Sequence, residues 1–321
     1  MSHRTDWFKD AGWGVFCHYL ADTPSNADPI PMTPDTWNRQ VDAFDLAGFG
    51  AQIESTGARF CFVTIGQNSG FFCSPNETYD GFVGIQPSKC SRRDLIADLS
   101  DELKRRGVEM LVYLPAGAPA ADPIAVERLG WEWGYEGGWP HGHEVRTYNR
   151  LVDFQLKWEA VIDEWSQRWG SKVRGWWIDG CYFADEMYRD PEPPNFGSFA
   201  DAMRAGNPDS IVAFNPGVKY PIVTMTQEED YTAGEINEVE QVECTGRWVG
   251  AAQWHMLSYL GATWGKGKPR YTDEQAAGFT RDAIAHEGVV SWDVPIQPSG
   301  LIPEPFAAQL RAIGQAVSPS F

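Results

Sequence analysis

Arg174-Gly175-Trp176-Trp177-Ile178-Asp179-Gly180 reads as a strand that stops abruptly on an acid. Its core is continuously apolar, which suits a strand buried on both faces of a parallel sheet and not the alternation of a half-solvated one. Six further runs of this kind lie at residues 14–18, 60–65, 109–114, 211–215, 252–258 and 289–293, and a weaker eighth lies at 230–235. Amphipathic stretches fill several of the gaps. Residues 92–106 place Leu95, Ile96, Leu99 and Leu103 on one helical face, after Ser91 as N-cap and before Gly107 as stop. Residues 151–169, 272–286 and 305–317 read as further helices. About eight strands with helices between them is the count of an α/β fold of the (β/α)8, TIM-like barrel type. The expectation is a single catalytic barrel domain over residues 1–321, without a C-terminal β-sandwich. A doubly wound sheet is the runner-up, but neither GxGxxG nor GxxxxGK[ST] is present to mark a nucleotide site.

Composition narrows the function classes. The 321 residues are 43% hydrophobic and 22% charged, the balance of a folded globular chain. Lys and Arg number 26 against 44 Asp and Glu, for a formal charge of −18. Such a surface repels phosphate backbones and anionic lipid, so neither nucleic acid nor a membrane is expected as the main partner. No run of about 18 apolar residues occurs, and the polar start over residues 1–10 does not resemble an export signal, so a cytoplasmic location is expected. Six cysteines stand at 17, 61, 73, 90, 181 and 244 without a CxxC pair, which reads as buried, reduced thiols and not as a zinc set. His141-Gly142-His143 has the look of a metal pair but reads as an ordinary loop. No metal and no cofactor are expected.

Active sites of such barrels gather at the C-terminal ends of the strands. The polar groups there are His18, Gln67 and Asn68, Tyr113, Asp179, Asn215, Asp230 and Glu235, His255, and Asp293. Asp179 is the sharpest of these, because three large apolar residues precede it and would partly desolvate it. The plain alternative is a turn or N-cap aspartate. The 15 Trp favour a sugar site, since pyranose C–H faces pack on indole while the hydroxyls need fixed polar partners. Cleaving a glycoside takes a second carboxyl group, and the acidic stretch 228–243 offers several that spacing alone does not rank.

An ordered series of segments resembles glycoside hydrolase family 29, the retaining α-L-fucosidases. Residues 7–19 (WFKDAGWGVFCHY) are similar to that family's opening strand. Thr56-Gly57-Ala58-Arg59-Phe60, the 93–107 helix, Trp177-Ile178-Asp179-Gly180 and the 288–304 ending match in the same order. The resemblance implies Asp179 as nucleophile. It implies Glu235, in Asp230-Tyr231-Thr232-Ala233-Gly234-Glu235, as acid/base, with Glu243 as second choice. It implies exo action on a terminal deoxysugar. His18, Gln67, Asn68 and Tyr113 are expected to fix hydroxyls, and Trp13, Trp177 and Trp254 to supply stacking faces. The family's paired histidines are replaced here by Gln67-Asn68, and its arginine after the fifth strand is absent at Asn215-Pro216-Gly217. Two rival readings are an inactive sugar-binding barrel and a metal-dependent hydrolase using His18, His255 and Asp179. A second copy of the chain is a candidate partner at an uncovered barrel edge.

Overall fold

The structure is a computed structural model that describes residues 3–21, 32–132, 149–183 and 185–318. His141 and His143 lie outside them. Its strands are β1 (Trp13–Cys17), β2 (Phe60–Thr64), β3 (Glu109–Pro115), β4 (Val173–Asp179), β5 (Ile211–Phe214), the short β6 (Trp248–Val249) and β7 (Ala252–Gln253), β8 (His255–Tyr259) and β9 (Val289–Val294). Seven of them form one parallel sheet in the order β5-β4-β3-β2-β1-β9-β8, while β6 and β7 make a small antiparallel hairpin. The sheet curls, and side chains divide by the strand period of two. Phe16, Phe60, Phe62, Leu111, Tyr113, Trp177 and Leu257 face the inside of the curl. Cys17, Cys61, Val63, Val112, Leu114, Trp176 and Ile178 face the surrounding helices. Both faces are therefore dry, which is why the strands read as unbroken apolar runs.

The helices follow the sequence reading with small shifts. Residues 92–106 become Leu95–Arg105, capped by the Asp94 carboxylate on the Ala97 N–H and not by Ser91, whose hydroxyl is turned onto the Arg93 carbonyl. The others are Val152–Trp169, Asp273–Ala285 with a Thr272/Gln275 capping box, and Glu304–Val317. A short helix, Asp6–Ala11, pushes Phe8 into the inside of the curl, where it meets Phe60 and Tyr231. No helix among the described residues is long and apolar enough to cross a membrane.

Where the strand count leads one to expect a closed eight-stranded barrel, the sheet is open between β5 and β8. The expected eighth strand lies in that gap. It bridges one edge at Tyr231↔Gln253 and Glu235↔Leu257, in parallel. On the β5 side its backbone contributes one bond, from Asp230 N–H to the Val212 carbonyl. Two of β5's own N–H groups are taken by side chains instead: Val212 donates to the Asp230 carboxylate at 2.9 Å and Phe214 to the Glu229 carboxylate at 3.1 Å. Carboxylates thus stand where a strand ladder would run, and the segment is left irregular.

The helix Glu304–Val317 approaches Leu46–Thr56 backbone to backbone: a Cβ placed at Gly314 would lie 1.7 Å from the Thr56 carbonyl oxygen. Gly314→Ala should therefore cost about 1–3 kcal/mol in urea unfolding. Gly278→Ala, whose Cβ meets nothing within 4 Å on the helix Asp273–Ala285, should be neutral or stabilise by about 0.5–1 kcal/mol. Equal effects of the two substitutions would refute that close approach.

Candidate active site

Strand ends from across the sheet converge on one cleft. β4 terminates on Asp179, which β3 brings into register with Pro115, so Tyr113 stands two residues below on the neighbouring strand. Gln67 follows β2 and donates from Nε2 to the Tyr113 hydroxyl. Tyr113 in turn donates to Asp179 Oδ2 at 2.6 Å. Asn215, directly after β5 and fully buried, donates from Nδ2 to Asp179 Oδ1 at 2.8 Å and to Glu235 Oε2 at 2.6 Å. Its Oδ1 accepts the Gly217 N–H at 3.0 Å, which settles the orientation of the amide. A continuous row of hydrogen bonds therefore runs from Gln67 through Tyr113, Asp179 and Asn215 to Glu235. Trp177 stacks on Tyr113 with centroids 5.4 Å apart and donates its indole N–H to the Ala233 carbonyl at 2.9 Å. That bond ties β4 to the segment that carries Glu235.

A second polar pair faces the row. His18 Nδ1 bonds Asp293 Oδ1 at 2.7 Å, and Asp293, fully buried at the end of β9, also accepts the Gly265 N–H at 2.6 Å. The His18 ring lies edge-on to Tyr113 and Trp264. Burial disfavours the imidazolium. The charge and hydrogen bond of Asp293, with Asp179 and Glu235 beyond, outweigh that and hold His18 above the usual histidine pKa. Glu235 is pushed up to about 7, first by burial and then by the Asp179 charge, against the lowering effects of the Asn215 bond and His18. Burial and Asp179 likewise raise the Tyr113 phenol, so it remains a donor. The cleft holds two neighbouring carboxyl groups whose surroundings favour a proton on Glu235 near neutral pH.

Six of the residues singled out in the sequence line this cleft: His18, Gln67, Tyr113, Trp177, Asp179 and Glu235. Its empty volume, including space open to solvent, is ≈ 840 Å³, in the range of small-molecule sites. Asn68 lines an adjoining cleft that shares Gln67, Tyr113 and Asp179 with the first. Three residues go elsewhere. Trp13 starts β1, so it sits at the opposite end of the strand from His18 and packs near Gly314 of the last helix. Trp254 comes just before β8 and packs near Gly288, again at the strands' N-terminal ends. Glu243 is exposed beside Cys244, whose thiol reaches that same end at the His286 carbonyl. His255 is buried below the cleft with both ring nitrogens engaged, by the Thr232 carbonyl at 2.9 Å and the Ser291 hydroxyl at 2.8 Å. Burial lowers it to about 4. With both ring nitrogens engaged below the cleft, it does not join His18 and Asp179 as a metal ligand set.

Asn215 and Asp293, two of the strand-end polar groups, enter the site without a role having been expected of them, and Trp264 enters it unmarked. Asn215 and Asp293 each end an apolar run, which is a readable signal. Trp264, on the cleft wall, lies in the Gly261-to-Gly267 loop after β8, where nothing in the local pattern marks it.

No family model matches the chain, and no curated protein matches it. Solved structures do share its fold. The endo-fucoidan hydrolase MfFcnA4 from glycoside hydrolase family 107 superposes with a TM-score of 0.71 at 18% identity, over 97% of this chain and 53% of that one. The endo-fucoidan hydrolase P5AFcnA of the same family gives 0.71 at 13%, over 98% and 93%. The α-L-fucosidase AlfC from Lactobacillus casei, in complex with α-L-fucose, gives 0.66 at 15%, over 98% of both chains. The chain thus spans about half the length of MfFcnA4 and nearly all of AlfC.

Two buried carboxyls give the fold a pH dependence. Glu235 and Glu229 are both pushed up to about 7 from an ordinary 4.5, chiefly by burial. A carboxyl whose pKa is higher folded than unfolded stabilises the fold while protonated, and that contribution is lost as pH rises through the folded value. The Tm should therefore fall between about pH 5 and about pH 8, and fall less in Glu235→Gln and in Glu229→Gln. Melting curves across that range check it. An unaltered slope in Glu235→Gln would mean that Glu235 is already ionised at the acid end.

Proposed function

We propose that the chain is a glycoside hydrolase that acts with retention, through a covalent glycosyl-enzyme, on a sugar of the L-fucose type. The observation that carries this reading is the Asn215 amide bonded to Asp179 and Glu235 at once. The two carboxylate oxygens are no further apart than those two bonds laid end to end. That fits the roughly 5–5.5 Å separation of retaining pairs and not the roughly 6.5–9.5 Å that an inverting pair needs to seat a water.

In this reading Asp179, which accepts hydrogen bonds at both oxygens as an ionised carboxylate does, attacks the anomeric carbon. The glycosidic C–O bond breaks as Glu235 gives its proton to the departing oxygen. Water then loses a proton to Glu235, attacks the same carbon and frees Asp179. The raised pKa of Glu235 suits the first of these roles. His18, oriented by its bond to Asp293, donates to a ring hydroxyl, with Gln67 beside it. Trp177 and Trp264 offer apolar faces to the sugar. The sugar class is supported by the neighbours in fold, which are described as acting on fucose or fucoidan.

Asp179→Ala should lower turnover of 4-nitrophenyl α-L-fucopyranoside by ~10³-fold or more with its Tm preserved, and added azide should restore activity. Glu235→Ala should spare this activated substrate far better than an unactivated fucoside. A wild-type-like Asp179→Ala would remove the nucleophile assignment. Sugar binding by the wild type without turnover of any glycoside would leave a sugar-binding protein.

A further inference from the structure

We infer that the cleft on the far side of Asp179 is a subsite for a second, uncharged sugar residue on the glycone side, so that the enzyme cuts behind a disaccharide unit and not only behind a terminal sugar. This rests on the reading of Asp179 and Glu235 as the reacting pair. The reacting sugar sits in the first cleft between Asp179 and Glu235, and the leaving oxygen must lie within reach of Glu235, so the leaving group departs on the Glu235 side. The second cleft touches Asp179, Tyr113 and Gln67 but not Glu235. The part of a substrate that enters it is the part that stays bonded to the anomeric carbon under attack.

The lining fits a sugar. Its empty volume, including space open to solvent, is ≈ 660 Å³. Gly117, Ala118 and Ala120 keep one side low. A Cβ at Gly117 would meet the Trp131 ring at 2.9 Å, so the indole rests directly on the backbone there. Phe154 braces it edge-on at 4.6 Å. Among the described residues, no hydrogen bond engages the Asn68 side-chain amide, which faces this space and has donors and an acceptor to offer a hydroxyl. Apart from Asp179, no charged side chain among the described residues lines the cleft, which selects an uncharged residue. Action on a terminal sugar, the expectation from the sequence, needs no room here.

The test uses 4-nitrophenyl α-L-fucopyranoside and the 4-nitrophenyl glycoside of an α-linked L-fucose disaccharide. From the disaccharide substrate the wild type should release nitrophenol and intact disaccharide as first products, with kcat/KM at least tenfold above that for the monosaccharide. Ala120→Trp, which fills the cleft, should reduce that ratio at least tenfold, and Asn68→Ala should do so if Ala120→Trp does not fold. Free fucose as the first product, or a ratio near one, would overturn the subsite. If the wild type turns over neither substrate, the catalytic reading fails by itself and calorimetry judges the subsite. The free disaccharide should then bind at least tenfold more tightly than L-fucose, an advantage lost in Ala120→Trp. Equal affinities, or binding of neither sugar, would overturn it.

Discussion

One side-chain nitrogen, Nδ2 of Asn215, gives its two hydrogens to carboxyl groups that stand 56 residues apart in the chain, Asp179 and Glu235. Two carboxylates this close repel, and two features answer that repulsion: the shared donor, and the rise of Glu235 to about 7, which favours its protonated form near neutral pH. The donor is itself held rigidly. Asn215 gives its backbone N–H to the Ile178 carbonyl, one residue before Asp179, so the sheet fixes its distance from that acid. Its side-chain oxygen is spent on Gly217, so the amide has no second orientation that keeps every bond.

The position of Glu235 is fixed differently. The segment that carries it has no strand ladder on its β5 side, because Glu229 and Asp230 take the N–H groups that a ladder would use. Cross-links from β4 replace the ladder: Trp177 donates to the Ala233 carbonyl, and the Tyr231 hydroxyl donates to the Trp176 carbonyl. On the other side the segment lies against β8 so closely that a Cβ at Gly234 would sit 1.9 Å from the His255 carbonyl oxygen. The break in the sheet and the location of the acid thus have one cause. A regular eighth strand would need backbone pairing on both flanks. The irregular one keeps a single backbone bond on its β5 flank, and side-chain bonds set where its last residue points.

This also explains what was legible beforehand. The seven paired strands are plain in the sequence because both faces of the sheet are dry, and the helices because one face of each is. Asp179 is legible because it ends such a run. Glu235 is not, since it sits among other acids on a segment whose regularity is broken by Glu229 and Asp230, two of those same acids. Resemblance to a family singled it out where spacing did not. Asn215 is legible as a polar group that ends an apolar run, but only the packing of β5 against β4 turns it into a bridge. The errors over Trp13 and Trp254 have a simpler origin. Both residues come at or just before the start of a strand, at the end of the sheet away from the site, so strand polarity and not residue type decides their role. Trp264 serves as a cleft wall because the glycine-rich loop after β8 comes back over His18, a tertiary fact with no local signature.

In the proposed reaction the bridge has work at both ends. Before attack the negative charge of the pair rests on Asp179, and Glu235 holds a proton. Once the glycosyl-enzyme forms, Asp179 is an ester and Glu235, its proton gone to the leaving oxygen, carries the charge. The site's net charge does not change. The charge only crosses from one bonding partner of Asn215 to the other, a separation spanned by a single amide. A donor placed between the two positions stabilises the charge at either one without having to move, which keeps reorganisation low. His18 faces both positions, and its pKa is raised by Asp179 as well as by Glu235, so its own positive charge is favoured in both states. Asp293 then has a role distinct from theirs. Fully buried and bonded to His18 and to the Gly265 N–H, it holds the imidazole in one orientation whichever acid is charged.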